Sequence, residues 1–397
     1  MSKVSRYAIR RASSLALTVI VLASLGANIG FAQDAQDDDK DAKPPAGAVF
    51  AMTNIAARNQ IVIFRRANDG TLKAVDRVFT GGSGKGDDFD TQGGLVLRDD
   101  HRFLYACNAG SNDISVFAVE GTHLTLIQKI FSGGVVPESL TFHGNLMYVL
   151  HGSVADNNIS GFTVAPNGIL TPLPDSTQAL SSPIAVPGVL QFGPKGGVLV
   201  VTLKAAQVGV NPGPFVIDTF TVGPDGLASK VMPQKSFGQR PFAATFRSNG
   251  ILLVAESHNP FPNEAAVSSY NVDPASGALS VISGSVANGQ TDSCWILLSK
   301  DEHYAYTANF ATGNISSFRS NQDGTINLIN GAAASLGLTS EPTDIRISAD
   351  GQFFYVLLRG TGEVAAFRIE DDGSLTPRGR ASGGLPANTG ASGLAAY

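Results

Sequence analysis

"GQFFYVLLRGTGEVAAFRIEDDGSL", Gly351 to Leu375, decides the fold. An apolar run is followed by a short polar loop, an alternating run, an Asp-Gly turn and the start of a further run. The same order is written in "EHYAYTANFATGNISSFRSNQDGTI" from Glu302 and in "HRFLYACNAGSNDISVFAVEG" from His101. Self-similarity over tens of residues marks a repeat architecture before any other fold is considered.

Seven copies can be aligned on the residue that ends the central apolar run: Asn54, Asn108, His151, Leu203, Glu256, Asn309 and Leu358. The steps between them are 54, 43, 52, 53, 53 and 49 residues, room for four short strands with turns. Calling these strands a to d, strand b ("FLYACN", "LMYVLH", "FYVLLR") is almost wholly apolar, as a strand buried on both faces must be. Strand c ("DISVFAVE", "NISSFRS", "EVAAFRI") alternates, and the c–d link carries Asn-Gly or Asp-Gly, a strong hairpin signal. Four-stranded antiparallel units repeated at this period predict an all-β, seven-bladed β-propeller over residues 47–397. The first copy starts at Val49 with strand b and lacks strand a. The tail "TGASGLAAY" supplies the missing strand, so the C-terminus is expected to complete blade 1 and leave no open edge. Six blades with a free tail is the rival count.

Composition agrees with a large β core: 43% of residues are hydrophobic, 15% are charged, and 44 are glycine. Before the repeats, Lys3, Arg6, Arg10 and Arg11 precede an apolar run from Leu15 to Leu25, and Gly30-Phe31-Ala32 offers small residues for cleavage. Residues 1–32 are read as a signal peptide removed after Ala32, by the Sec route rather than the twin-arginine route; an uncleaved N-terminal anchor is the alternative. Residues 33–46, "QDAQDDDKDAKPPA", read as a disordered acidic and Pro-rich linker. The mature chain would carry 24 basic and 33 acidic residues, about −9, which argues against nucleic acid or an anionic membrane surface as partner. The expected location is periplasmic or secreted, with no membrane segment after cleavage, as a monomer. Cys107 and Cys294 fall four copies apart and are read as buried small hydrophobes; neither a zinc pattern nor any cofactor motif is present.

In a four-stranded meander the b–c loops and d–a crossings share one face. Here these loops are long and unlike one another, whereas the c–d turns are short and uniform. Irregularity on one side of a regular scaffold is where function concentrates. The ionisable residues on that face are Asp87, Asp88, Asp90, Glu138, His151, Lys204, Arg240, Glu256, His258, Asp292, Glu341, Asp344 and Arg359. Lys204, Arg240 and Arg359, with Asp292 and Glu341, are candidates for binding an anionic small molecule. Glu256, His258 and His151 are candidates for moving a proton, because a carboxyl ending an apolar strand is placed for a raised pKa. A structural pairing of Glu256 with Lys204 is the competing reading. "GGSGKGDDFD" (81–90) lacks the ending of a phosphate loop. Its acids suit a cation, but without a regular ligand spacing the segment reads rather as a flexible link between blades.

"GQRPFAATF" (238–246), "GQTDSCWILLSKDEHYAYTANFATGNISSF" (289–318) and "PTDIRISADGQFFYVLLRGTGEVAAFRIEDDGSLT" (342–376) resemble the lactonase-family seven-bladed propellers. These include the propeller type of 6-phosphogluconolactonase and the fungal carboxymuconate-lactonizing enzyme. The resemblance implies that a small lactone is opened or closed at the channel by Arg, His and Glu side chains, with no metal or cofactor. The family's Pro-Arg-His segment is replaced here by "PGVLQFGPKGG" (187–197), without Arg or His, and export also speaks against a sugar-phosphate lactone. Two classes stay open: an exported lactonase or lactone-forming cycloisomerase, and a non-catalytic propeller holding a ligand or protein on the same face. Convergence of Arg240, Lys204 and Glu256 in one pocket would favour the first.

Overall fold

The computed structural model describes residues 46–397 other than 88, 153–154, 208–212, 214 and 259–260. The predicted signal peptide, residues 33–45 of the linker, and Asp88 therefore lie outside the described residues.

Seven antiparallel sheets follow one another around a ring, without a helix among the described residues. Blade 7 sets the pattern: strand a is Pro342–Ile347, b Phe353–Leu358, c Glu363–Ile369 and d Leu375–Ala381. Strand b is buried along its whole length, while strand d is largely exposed. The outward fall in apolar content follows from position, because an inner strand is covered by both neighbouring blades and the outermost one meets water. Blade 1 consists of Gly47–Met52, Gln60–Arg66 and Leu72–Phe79, with Leu394–Ala396 as its strand a. The register is Val49↔Ala396, Phe50↔Ala395 and Ala51↔Leu394, so the ring closes through the C-terminus as expected. Blade 3 departs from the pattern: its strand d is broken into Leu170–Pro172 and Gln178–Ala179, both paired with Asn158–Val164. Pro172 and Pro174 interrupt it, since proline has no N–H for the ladder. Cys107 and Cys294 are buried free thiols.

Blades are joined by a repeated contact. The tyrosine in the middle of strand b donates its hydroxyl to the turn glycine carbonyl of the next blade: Tyr105 to Gly168 (2.8 Å), Tyr148 to Gly226 (2.8 Å), Tyr306 to Gly373 (2.9 Å) and, across the closure, Tyr355 to Gly70 (3.2 Å). Burial pushes the Tyr105 phenol up to about 12. The turn glycines are required twice over. Gly70 and Gly373 have φ of 86° and 79°, and a Cβ on either would fall on the ring of Phe353 or Tyr304 in the preceding blade.

The segment expected to be a flexible link is instead a plug inside the channel. Phe89 is buried, and its N–H donates to Ser392 Oγ beside the closing strand (3.4 Å). Thr91 Oγ1 donates to Glu138 O (2.8 Å), and Ser139 Oγ donates to Gln92 O (2.6 Å), both in blade 3. Gln92 N donates to Gly188 O of blade 4 (2.9 Å). The Gln92 side chain then spans two more blades: Nε2 donates to Ala244 O (3.4 Å) and Oε1 accepts from Ile296 N (3.2 Å). A polar segment runs through the centre of the ring because the innermost strands offer it backbone partners that would otherwise be unpaired.

Candidate functional site

The charged mouth of the channel is built from two repeat positions. One is the residue before strand a: Val136, Arg240, Asp292 and Glu341 all have left-handed backbone, with φ between 47° and 63°. The carbonyl of each accepts the N–H of the residue that follows strand b of the same blade, namely Gly152, Ser257, Phe310 and Arg359, at 2.9–3.3 Å. Left-handed φ is unfavourable for Val, Arg and Glu, and such outliers cluster where a side chain must be presented in one place.

These positions bring opposite charges together. Arg240 Nη1 donates to Asp292 Oδ1 (3.0 Å) in the next blade and to Ser257 Oγ (3.2 Å). Lys204, wholly buried, pairs with Asp90 Oδ2 of the plug (3.2 Å) and donates to Pro187 O (2.7 Å) and to Asp90 O. Its ammonium lies 4.2 Å from the centre of the Phe242 ring, and the Arg240 guanidinium 6.0 Å from the same ring. Cys294 Sγ lies 3.3 Å from Asp292 Oδ1. Burial raises the Asp292 carboxyl above its ordinary pKa, opposed by Arg240. Burial lowers the Lys204 amine, opposed by Asp90. Further round, Arg359 pairs with Glu341 (2.8 Å) and lies 4.9 Å from the Phe310 ring. Glu138, fully buried, pairs with Lys85 (3.5 Å), which also lies 3.9 Å from Asp87.

The proton-transfer candidates are placed differently. Glu256 is fully buried with its carboxylate turned toward strands c and d of its own blade. It accepts from Gly238 N (3.0 Å), Ser285 Oγ (2.6 Å) and Ser268 Oγ. His258 Nε2 lies 3.7 Å from Glu256 Oε2. The pairing of Glu256 with Lys204 is not formed. By register Leu203, not Lys204, is the counterpart of Glu256, since Pro187↔Leu203 matches Pro241↔Glu256. Lys204 is one residue further on, and successive strand residues face opposite ways. His151 holds the same position as Glu256 in blade 3, with Nδ1 3.0 Å from Asn158 Oδ1 and Nε2 3.0 Å from Ser132 Oγ. Burial lowers its pKa to about 4, so the ring is neutral at ordinary pH. Asp344 sits beside the plug, fully buried, and accepts from Gly393 N (2.8 Å).

Of the expected residues, Lys204, Arg240 and Asp292 thus fall in one cluster, Arg359 and Glu341 form a pair on the same mouth, and Glu256 and His151 face into their blades. Asp90, Phe242, Ser257 and Cys294 were not singled out as partners of that cluster. Reading the residue one past the end of strand b, rather than the end itself, would have found Ser257 beside Lys204, Phe310 and Arg359.

Residues 56–186 and 216–337, well over half of the chain, match the model of the lactonase, 7-bladed beta-propeller family. The chain belongs to that family. Among solved structures it is similar to a Bacteroides uniformis protein provisionally named 6-phosphogluconolactonase (18% identity, 89% of this chain and 100% of that one, TM-score 0.66). It is also similar to the periplasmic gluconolactonase PpgL of Pseudomonas aeruginosa (14% identity, 88% and 98%, TM-score 0.65). At these identities the likeness carries the fold alone. No curated protein matches the chain. The membership fits the seven blades and the closure by the C-terminal strand.

Proposed function

We propose that the protein is an exported lactonase-like propeller that hydrolyses, or closes by the reverse route, a small lactone at the charged mouth. The observation that carries this reading is the Arg240–Asp292 pair at 3.0 Å, both side chains under a tenth exposed, beside a buried Lys204. Asp292, made more basic than an ordinary carboxylate by burial, takes a proton from the attacking water. Arg240 and Lys204 stabilise the negative charge that develops on the carbonyl oxygen. The ring C–O bond breaks, the proton passes to the departing alkoxide, and a hydroxy acid is released. Glu256 and His151 act in this scheme by holding their blades, with no contact to the reacting atoms. Export is supported by the basic start, the apolar run and the small residues before Gln33. Protein recovered from a periplasmic fraction should begin at Gln33 by mass spectrometry.

The test is a pH-stat panel of sugar and aliphatic lactones on the purified protein. Arg240→Ala and Asp292→Asn should each lower kcat/KM by about 100-fold, with Glu256→Gln changing stability rather than turnover. Full turnover in both mouth variants would refute the assignment. The pairing of each cation with a carboxylate favours a second reading, in which the mouth binds without catalysis. Saturable lactone binding with no turnover on any member of the panel would select it.

A further inference from the structure

The plug divides the channel. On the side away from the charged mouth, where the a–b turns lie, a cavity of about 800 Å³ remains, within the size range of small-molecule sites. Its wall includes one residue from the same step of strand a in each of six successive blades. Val96, Thr141, Gln191, Thr245, Leu297 and Arg346 pair in register with the middle residue of strand b, Tyr105, Tyr148, Val200, Leu253, Tyr306 and Tyr355. Arg346 is the one charged member of this ring, half-buried among Leu297, Leu298 and Ile347.

Its guanidinium is underused by the protein. Nη1 donates to the carbonyl of its own neighbour, Ile345 (2.7 Å). Asp344, two residues back, spends one carboxylate oxygen on Gly393 N; its charge favours the Arg346 cation, but no direct contact between the two is made among the described residues. On the walls contributed by blades 4 and 5, the side chains of Gln191 and Thr245 make no hydrogen bond among the described residues and also line the cavity. A guanidinium presents a planar fork that matches a carboxylate. The wall mixes these polar groups with Leu297, Leu298 and Ile347, so it suits a small ligand that is polar at both ends with a short apolar body between them. The rim carries Asp99 and Asp100, both exposed to water, where their repulsion of an anion is screened.

We infer that this lower chamber is a second binding site, distinct from the mouth, for a small organic acid with a polar group at its far end. The carboxylate is held by Arg346, the body lies on Leu297, Leu298 and Ile347, and the far hydroxyl reaches Gln191 or Thr245. Because the chamber is lined by none of the residues of the mouth cluster, the site stands whether or not the mouth is catalytic.

The experiment is calorimetric titration of the purified full chain with 6-hydroxyhexanoate, hexanoate and hexane-1,6-diol. The hydroxy acid should bind saturably, hexanoate more weakly and the diol weakest. Arg346→Gln should weaken the hydroxy acid by about tenfold or more. Gln191→Leu, which leaves the Asp344 region intact, should remove the preference for the hydroxy acid over hexanoate. Arg240→Ala, at the mouth, should change neither. Absence of binding in the wild type, or binding abolished by Arg240→Ala and untouched by Arg346→Gln, would overturn the proposal. Binding that survives all three substitutions would overturn it equally.

Discussion

Four blades end strand b with a polar side chain that does the same work. Asn108 donates to Asp113 Oδ1 (2.7 Å) and Ser115 Oγ (2.8 Å), and Asn309 to Asn314 Oδ1 (2.5 Å) and Ser316 Oγ (2.8 Å). His151 and Glu256 take that place in blades 3 and 5. Each is a latch between strands b and c, and a buried polar group in this position must be satisfied or it costs stability. In His151 the latch titrates. Its folded pKa, about 4, lies below the ordinary 6.5, because burial disfavours the charged ring. Between these values the unfolded chain binds a proton that the folded one refuses, so stability is present above pH 6.5 and is lost as pH falls toward 4. The full loss corresponds to about 3 kcal/mol. His151→Asn, which copies Asn108, should flatten that part of the stability-versus-pH curve while keeping most of the stability at pH 7.5. Thermal melts of both proteins from pH 4 to 8 measure it, and parallel curves would refute the latch. The sequence marked both residues as chemically notable through their type and burial. The alignment of the copies already set both beside Asn108 and Asn309; what the sequence did not display is that this side chain bonds back to strand c of its own blade, which turns a candidate acid–base pair into a repeated structural position.

At the scale of elements, the strands were readable and the plug was not. Strands b and c report themselves through apolar runs and alternation, and the Asp-Gly turns through the only residue that fits φ near +80° against a neighbouring ring. "GGSGKGDDFDTQGG" has the glycines and charges of a solvent loop. Its docking depends on backbone groups of other blades, which no local pattern can reveal. The mouth cluster was half-legible for the same reason: its charges stand out, but the pairing of Lys204 rests on Asp90 being carried inward by the plug. Gln92 is the residue to test. Removing its side chain leaves Ala244 O and Ile296 N without that partner. An unsatisfied buried group costs about 1–3 kcal/mol, so Gln92→Ala should destabilise by about 2–4 kcal/mol in urea unfolding. A change within about 0.5 kcal/mol, typical of a surface position, would mean that the plug does not tie the blades.

For the whole molecule, the decisive event is closure, and it was expected from the sequence because a repeat that begins one strand late and ends one strand over is completed when its tail joins the first copy; the pairing of Leu394–Ala396 with Gly47–Met52 decides against six blades with a free tail. The closing contacts include three residue pairs between Leu394–Ala396 and Gly47–Met52, the Arg66 Nε bond to Tyr397 O (3.1 Å), the Arg66–Asp350 ion pair (3.2 Å), the Arg77 bond to Gly383 O (2.8 Å) and the Tyr355 bond to Gly70. They remove two open edges at once, and an open edge both frays and pairs with other chains. Deleting residues 394–397 therefore costs more than three pairs. It strips strand a from blade 1, exposes the buried Val49, Phe50 and Ala51, and uncovers the plug where Phe89 meets the segment before the closing strand. The truncated protein should lose its single cooperative unfolding transition and elute from a sizing column as higher-order species, while Ala396→Val, which keeps the strand, leaves both properties unchanged. A truncated chain that remains monomeric and melts as the full one does would show that blades 1 and 7 hold together without the terminal strand, and that the ring is secured from within, by the plug.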